Sequence, residues 1–124
     1  MALAGADGKR TPQKVGRLKR LSVHWSEPAS LDLIEIVEFV QHDRPTAARK
    51  LGQTLLLEAS RLNRHPRRGK IVPELLEQGI SDYRQILVTA YRVVYAIRAD
   101  SIDIVAVIDS RRDLQDALFR RLIR

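Results

Sequence analysis

Two Val/Ile-dense runs near the C-terminal end, YRVVYAI at 91–97 and IDIVAVI at 102–108, leave this chain little freedom in how it folds. Their β-branched residues favour pleated backbone, and the density of apolar residues requires burial on at least one face. The Ala99-Asp100-Ser101 break between them reads as a hairpin turn. Together they predict two adjacent antiparallel strands. That geometry sets Arg92, near the start of the first strand, beside Arg111 and Arg112, just past the end of the second, and predicts that these cations converge on one edge.

The preceding residues supply the rest of the sheet and its cover. Residues 20–25, RLSVHW, alternate polar and apolar as a half-buried strand does. Ser26-Glu27-Pro28 then opens a helix, with serine as N-cap and proline and glutamate in the first turn. Leu33, Val37 and Val40 form its apolar stripe and Asp32, Glu35 and Glu38 a polar one, as far as about His42. Pro45 breaks the pattern. From Pro45 to Asn63, Ala48, Leu51, Leu55, Ala59 and Leu62 recur at helical spacing, giving a second helix that ends near His65-Pro66. Two helices joined by so short a link pack antiparallel, and their shared stripe needs the sheet as its partner.

PRRGK at 66–70 reads as a loop, Ile71–Leu75 as a short extended piece with Pro73 marking an edge, and Gln78-Gly79 as a turn. Asp82–Val88 is the next strand and Asp113–Leu122 a closing helix with Leu114, Ala117, Leu118 and Leu122 on one side. The predicted fold is α+β: an N-terminal strand, an antiparallel helical hairpin packed on a small, mostly antiparallel sheet, and a short C-terminal helix.

At 124 residues, 44% hydrophobic and 30% charged, the chain suits one core and not two. Residues 1–20 carry six Lys/Arg against Asp7, so +5 of the +7 net charge sits there, while 21–124 holds 16 positive and 14 negative residues. The first segment reads as a basic disordered leader, either a solvated extension or an attractor of nucleic acid through counterion release, and 21–124 as the folded domain. Without cysteine, disulfides and thiolate metal sites are excluded and a reducing cytoplasm is permitted. His24, His42 and His65 lack the spacing of a helical metal pair, so neither a metal nor any other cofactor is expected. No apolar run reaches the roughly 18–20 residues of a membrane span, and no secretory signal core is present, so no membrane partner is expected.

The candidate chemistry is cationic. Arg92 and Arg112 can grip phosphate or stabilise developing negative charge, since guanidinium stays ionised and presents a planar fork; they can equally be paired, with Asp109 and Asp113 at hand. Arg84 has Asp82 as a possible neighbour. Tyr83, Tyr91 and Tyr95 can stack on bases or move protons, or simply pack on the sheet. Arg67, Arg68 and Lys70 form a cluster that meets nucleic acid or an acidic partner, or is a solvated loop.

The order VHWSEPASLDL, RHPRRGKIVPEL, DYRQI, YRVVYAI and IVAVIDSRRDL over residues 22–119 resembles the ParE/RelE superfamily of toxins from bacterial type II toxin-antitoxin modules. The resemblance implies a cytoplasmic, growth-inhibiting toxin of the kind that stabilises plasmids, with a cognate antitoxin as partner in a hetero-oligomer. The long helical hairpin, GKIVPEL and the RRDL ending look like the ParE branch, whose members bind DNA gyrase without nuclease chemistry. The candidate binding residues, read from the strand-end arginines and the basic loop, are Arg84, Arg92, Arg111, Arg112, Arg67, Arg68 and Lys70. The ParE branch's usual His-Gly before the final arginines is Asp109-Ser110 here. In the RelE branch, whose members cut messenger RNA on the ribosome without a metal, Arg92 and Arg112 match the catalytic arginines. The paired lysines of some members fall at Tyr83 and Gln85, and the final-helix tyrosine falls near Leu118. A basic nucleic-acid-binding domain is a third reading, resting on net charge alone.

Overall fold

Tyr91–Ile97 is the central strand of a five-stranded sheet in the computed structural model, which describes residues 21–122. The strands are β1 (Ser22–Trp25), β2 (Lys70–Ile71), β3 (Tyr83–Val88), β4 (Tyr91–Ile97) and β5 (Ser101–Asp109), side by side in the order β1-β5-β4-β3-β2. β1 runs parallel to β5, and the other pairings are antiparallel. The helices are α1 (Glu27–Asp43), α2 (Pro45–Ser60), a 3-10 turn at Arg61–Asn63, the single turn α3 (Pro73–Leu76) and α4 (Leu114–Leu122). The fold class, helical hairpin and strand order in sequence are those expected from the pattern. The basic leader at 1–20 lies outside the described residues.

Both faces of the sheet are covered, which is why β4 reads as an almost unbroken apolar run. Val93 and Tyr95 point to the hairpin, where they pack with Ala29, Leu55, Ala59, Ile86 and Ile104. Val94 faces the other way, into a second core with Val72, which caps α3, and with Leu75, Ile108, Leu114 and Leu118 from α3, β5 and α4. Each fully buried Leu or Val contributes about 1.5–3 kcal/mol. Ser26 caps α1 by accepting the Ala29 N–H at 3.1 Å. Gly52 lets α2 approach α1 closely, since a Cβ there would lie 3.3 Å from Val37 Cγ2.

One expected element is replaced. Ile71–Leu75 is not an extended piece: β2 stops at Ile71, and Pro73 starts α3. Proline suits an edge strand and the first position of a helix alike, and here the missing N–H costs nothing because a first-turn amide has no helical partner.

β5 carries a bulge. Val94 pairs with Ala106 but Tyr95 pairs with Ile104, so Val105 has no opposite residue on β4. On its other side β5 loses β1 after Trp25 and Ile104. Beyond that point side chains occupy the strand's outer edge. Asp32 of α1 accepts the Val107 N–H at 2.9 Å, and Arg121 of α4 donates to the Val105 carbonyl at 3.1 Å and to both Asp32 oxygens at 2.7 and 3.1 Å.

Candidate functional site

The sheet separates the arginines that the hairpin register predicts will meet. Arg92 pairs with Ile108, one rung from Tyr91 and Asp109, so the backbones are indeed neighbours. Successive side chains on a strand leave on opposite faces, however, and Arg92 leaves on the α3/α4 side. There its NH1 donates to Glu74 Oε1 and Oε2 at 3.1 and 3.0 Å and to Gln85 Oε1 at 3.1 Å. Arg92 thus lines a cleft of about 530 Å³ with Arg68, Lys70, Gln85, Leu87 and Ser110.

Arg111 and Arg112 belong to the hairpin side. Arg111 folds back on Asp109, giving its backbone N–H and Nε to Oδ1 at 2.9 and 3.0 Å and NH2 to Oδ2 at 2.7 Å. These bonds to Arg111, with the nearby charge of Arg112, hold the Asp109 carboxyl down at about 2. Arg112 lines a second cleft, of about 420 Å³, against Asp32, Glu35, Ile36 and Phe39 of α1. Its side chain forms no ion pair among the described residues.

Asp109 supplies a prediction that reads only local charge. Arg111→Ala is expected to return its carboxyl from about 2 toward the ordinary 3.8, measured by carbon-detected NMR titration. A depressed carboxylate favours the fold above the unfolded value and loses that contribution as pH falls through the folded one. In the native protein the loss therefore spans about pH 4 to 2, and in the variant, which keeps the backbone N–H of residue 111 on Asp109 Oδ1, that window narrows.

The basic loop is built from β4. Tyr95 is fully buried, and its hydroxyl accepts the Gly69 N–H at 3.0 Å and donates to the Pro66 carbonyl at 2.7 Å. Burial pushes its pKa up, against the lowering effect of the Gly69 bond and of Arg84 and Arg68. A neutral, enclosed phenol anchors the loop and is not placed to stack on a base. Arg84 donates to the Gly69 carbonyl at 2.7 Å and not to Asp82. Arg68 pairs with Glu58 at 2.9 Å, as does Arg61. Arg67 and Lys70 are exposed and form no ion pair among the described residues. The structure therefore gathers Arg68, Lys70 and Arg92 at one cleft, draws Arg84 away to the loop backbone and sets Arg111 and Arg112 across the sheet.

Glu74, Asp32 and Gly69 are absent from the sequence reading of the site. Glu74 is 18 residues from Arg92, and Asp32 is 89 residues from Arg121, so no local spacing betrays either partnership. Among the described residues no group of histidines and carboxylates is arranged to hold a metal, and no helix is long and apolar enough to cross a membrane.

A family model described as the ParE toxin of the type II toxin-antitoxin system parDE matches residues 23–114, and the chain belongs to that family. Among solved structures, the chromosomal ParDE TA system from P. aeruginosa is similar with a TM-score of 0.61 and 17% identity, covering 73% of this chain and 96% of that one. At that identity the likeness establishes a shared fold. Among curated proteins none matches the chain.

Proposed function

We propose that the protein is a growth-inhibiting toxin that acts by binding a cellular target such as DNA gyrase, without chemistry of its own, and is neutralised by a cognate antitoxin. The observation that carries this reading is the separation of Arg92 from Arg112 by the sheet, with Arg92 committed to Glu74. Cleaving a phosphodiester needs an acid or base and charge-stabilising groups that converge on one phosphate. Here the arginines face different clefts and Tyr95 is enclosed. Binding needs surface instead, and Leu31, Ile34, Phe39, Leu56 and Leu57 are exposed on the hairpin, Phe39 at 82%. The antitoxin partner is supported by the family and by the paired system named for the similar structure.

The test is expression of the full chain without an antitoxin in a bacterial host, followed by a supercoiling assay with purified protein. The expected result is growth arrest with filamentation and an SOS response, inhibited gyrase and intact messages. Cleaved messages with working gyrase would sink the non-enzymatic reading, and unaffected growth the toxin reading itself. Arg112→Ala is expected to weaken toxicity about tenfold, the scale of one interfacial arginine, with an unchanged melting temperature because no ion pair is lost.

A further inference from the structure

The α1–α2 turn and the β3–β4 turn lie at the same end of the molecule and enclose an open cleft of about 520 Å³. Clefts that take small ligands span roughly 300–1,000 Å³. Its walls are apolar, from Val40, Leu51, Ala47, Ala90 and Tyr91, and three cations stand around them: Arg44, Lys50 and Arg111. No acidic side chain lines it among the described residues. Arg111 is already bonded to Asp109, so the uncompensated charges are Arg44 and Lys50, both exposed and neither in an ion pair among the described residues.

Backbone electrostatics act in the same direction. α2 begins here with Arg44 at its N-cap, no side chain capping its first amides and no acidic residue in its first turn, and Ala47 of that turn lines the cleft. The positive end of a helix favours an anion. Thr89, also in the lining, is held at φ 53°, a left-handed conformation that a β-branched residue rarely adopts.

A bare anion would use the cations and leave the apolar wall wet, whereas a neutral apolar ligand would leave two cations without a counterpart. A planar apolar body carrying phosphate uses both. We propose that this cleft binds a nucleotide unit, with its base against Tyr91 and Leu51 and its phosphate between Arg44 and Lys50. Guanidinium and ammonium are both effective phosphate partners. The source is either a free mononucleotide or a unit of single-stranded nucleic acid, which present the same chemistry. The inference is independent of what the toxin inhibits.

Residue-resolved NMR on the full chain, titrated separately with AMP, adenosine, inorganic phosphate and a single-stranded oligothymidylate, tests it. AMP is expected to shift Lys50, Thr89 and Tyr91 with a Kd of about 1 mM or tighter, and adenosine and phosphate to bind at least about tenfold more weakly. Arg44→Ala is expected to weaken AMP about tenfold and Lys50→Glu to abolish it, both with unchanged melting temperatures because both side chains are exposed. An oligonucleotide that binds the same residues more tightly than AMP identifies a strand as the source, and one that binds more weakly identifies the free nucleotide. Equal affinity for adenosine and AMP, shifts confined to other residues, or Lys50→Glu binding as the native chain does would each overturn the proposal.

Discussion

Gly69→Ala is expected to destabilise the domain by about 3 kcal/mol, the sum of the hydrogen bonds that its accommodation would break. A Cβ at Gly69 would lie 2.5 Å from the Gln85 carbonyl oxygen, 2.6 Å from the Tyr95 hydroxyl oxygen and 2.9 Å from the Gln85 carbonyl carbon. None of these atoms is the free end of a flexible side chain. Gln85 is held in register with Lys70 on one side and Val94 on the other, and Tyr95 is packed on all sides. The loop must therefore move. Moving it breaks the Gly69-to-Tyr95 bond, the Tyr95-to-Pro66 bond and the Arg84-to-Gly69 bond.

Each of those three bonds contributes about 1 kcal/mol. For a domain of this size the melting temperature should fall by about 10 °C or more. Tyr95→Phe in the same assay separates the two effects. It removes one of the colliding atoms as well as two of the three bonds, so alanine at position 69 should cost about 2 kcal/mol less in the phenylalanine background. Additive effects of the two substitutions, or an alanine variant within about 0.5 kcal/mol of the native protein, would mean that the close approach is not what fixes the loop.

The same loop shows where local sequence stops being informative. PRRGK has the composition of a solvated turn, and nothing within it reveals that its glycine is buried against a tyrosine 26 residues away. The strands were legible because burial on both faces of β4 imposes a composition that a partly exposed strand does not need, and the start of α1 because Ser26-Glu27-Pro28 satisfies its first turn locally. The Asp109–Arg111 pair is equally local, two residues apart, yet Asp109 reads from the sequence as a partner for Arg92 or Arg112, and the backbone reversal after β5 gives it to Arg111 instead. The destinations of Arg92 and Arg112 were not legible. They depend on which face each residue occupies after a bulge, and on a Glu74 whose nearness follows from Pro73 starting a helix rather than edging a sheet.

Asp32→Ala is expected to cost about 2–3 kcal/mol, somewhat below the 3–5 kcal/mol of a fully buried broken pair because the side chains of Asp32 and Arg121 retain 16% and 29% exposure. The substitution does more than remove an ion pair. It leaves the Val107 N–H without its acceptor at the point where β5 has lost β1, and it frees Arg121, whose other bond goes to the carbonyl of the bulged Val105. Arg121→Ala keeps the Asp32 bond to Val107 and should cost only about 1–2 kcal/mol. Because the two residues share one network, the double variant should be less unstable than the sum by about 1 kcal/mol. An unguarded strand edge also pairs readily with another chain, so Asp32→Ala should self-associate at concentrations where Arg121→Ala stays as dispersed as the native protein, as light scattering would report. Unfolding curves in which Asp32→Ala costs no more than Arg121→Ala, together with unchanged scattering, would reduce Asp32 to an ordinary helix-surface carboxylate with no part in closing the sheet.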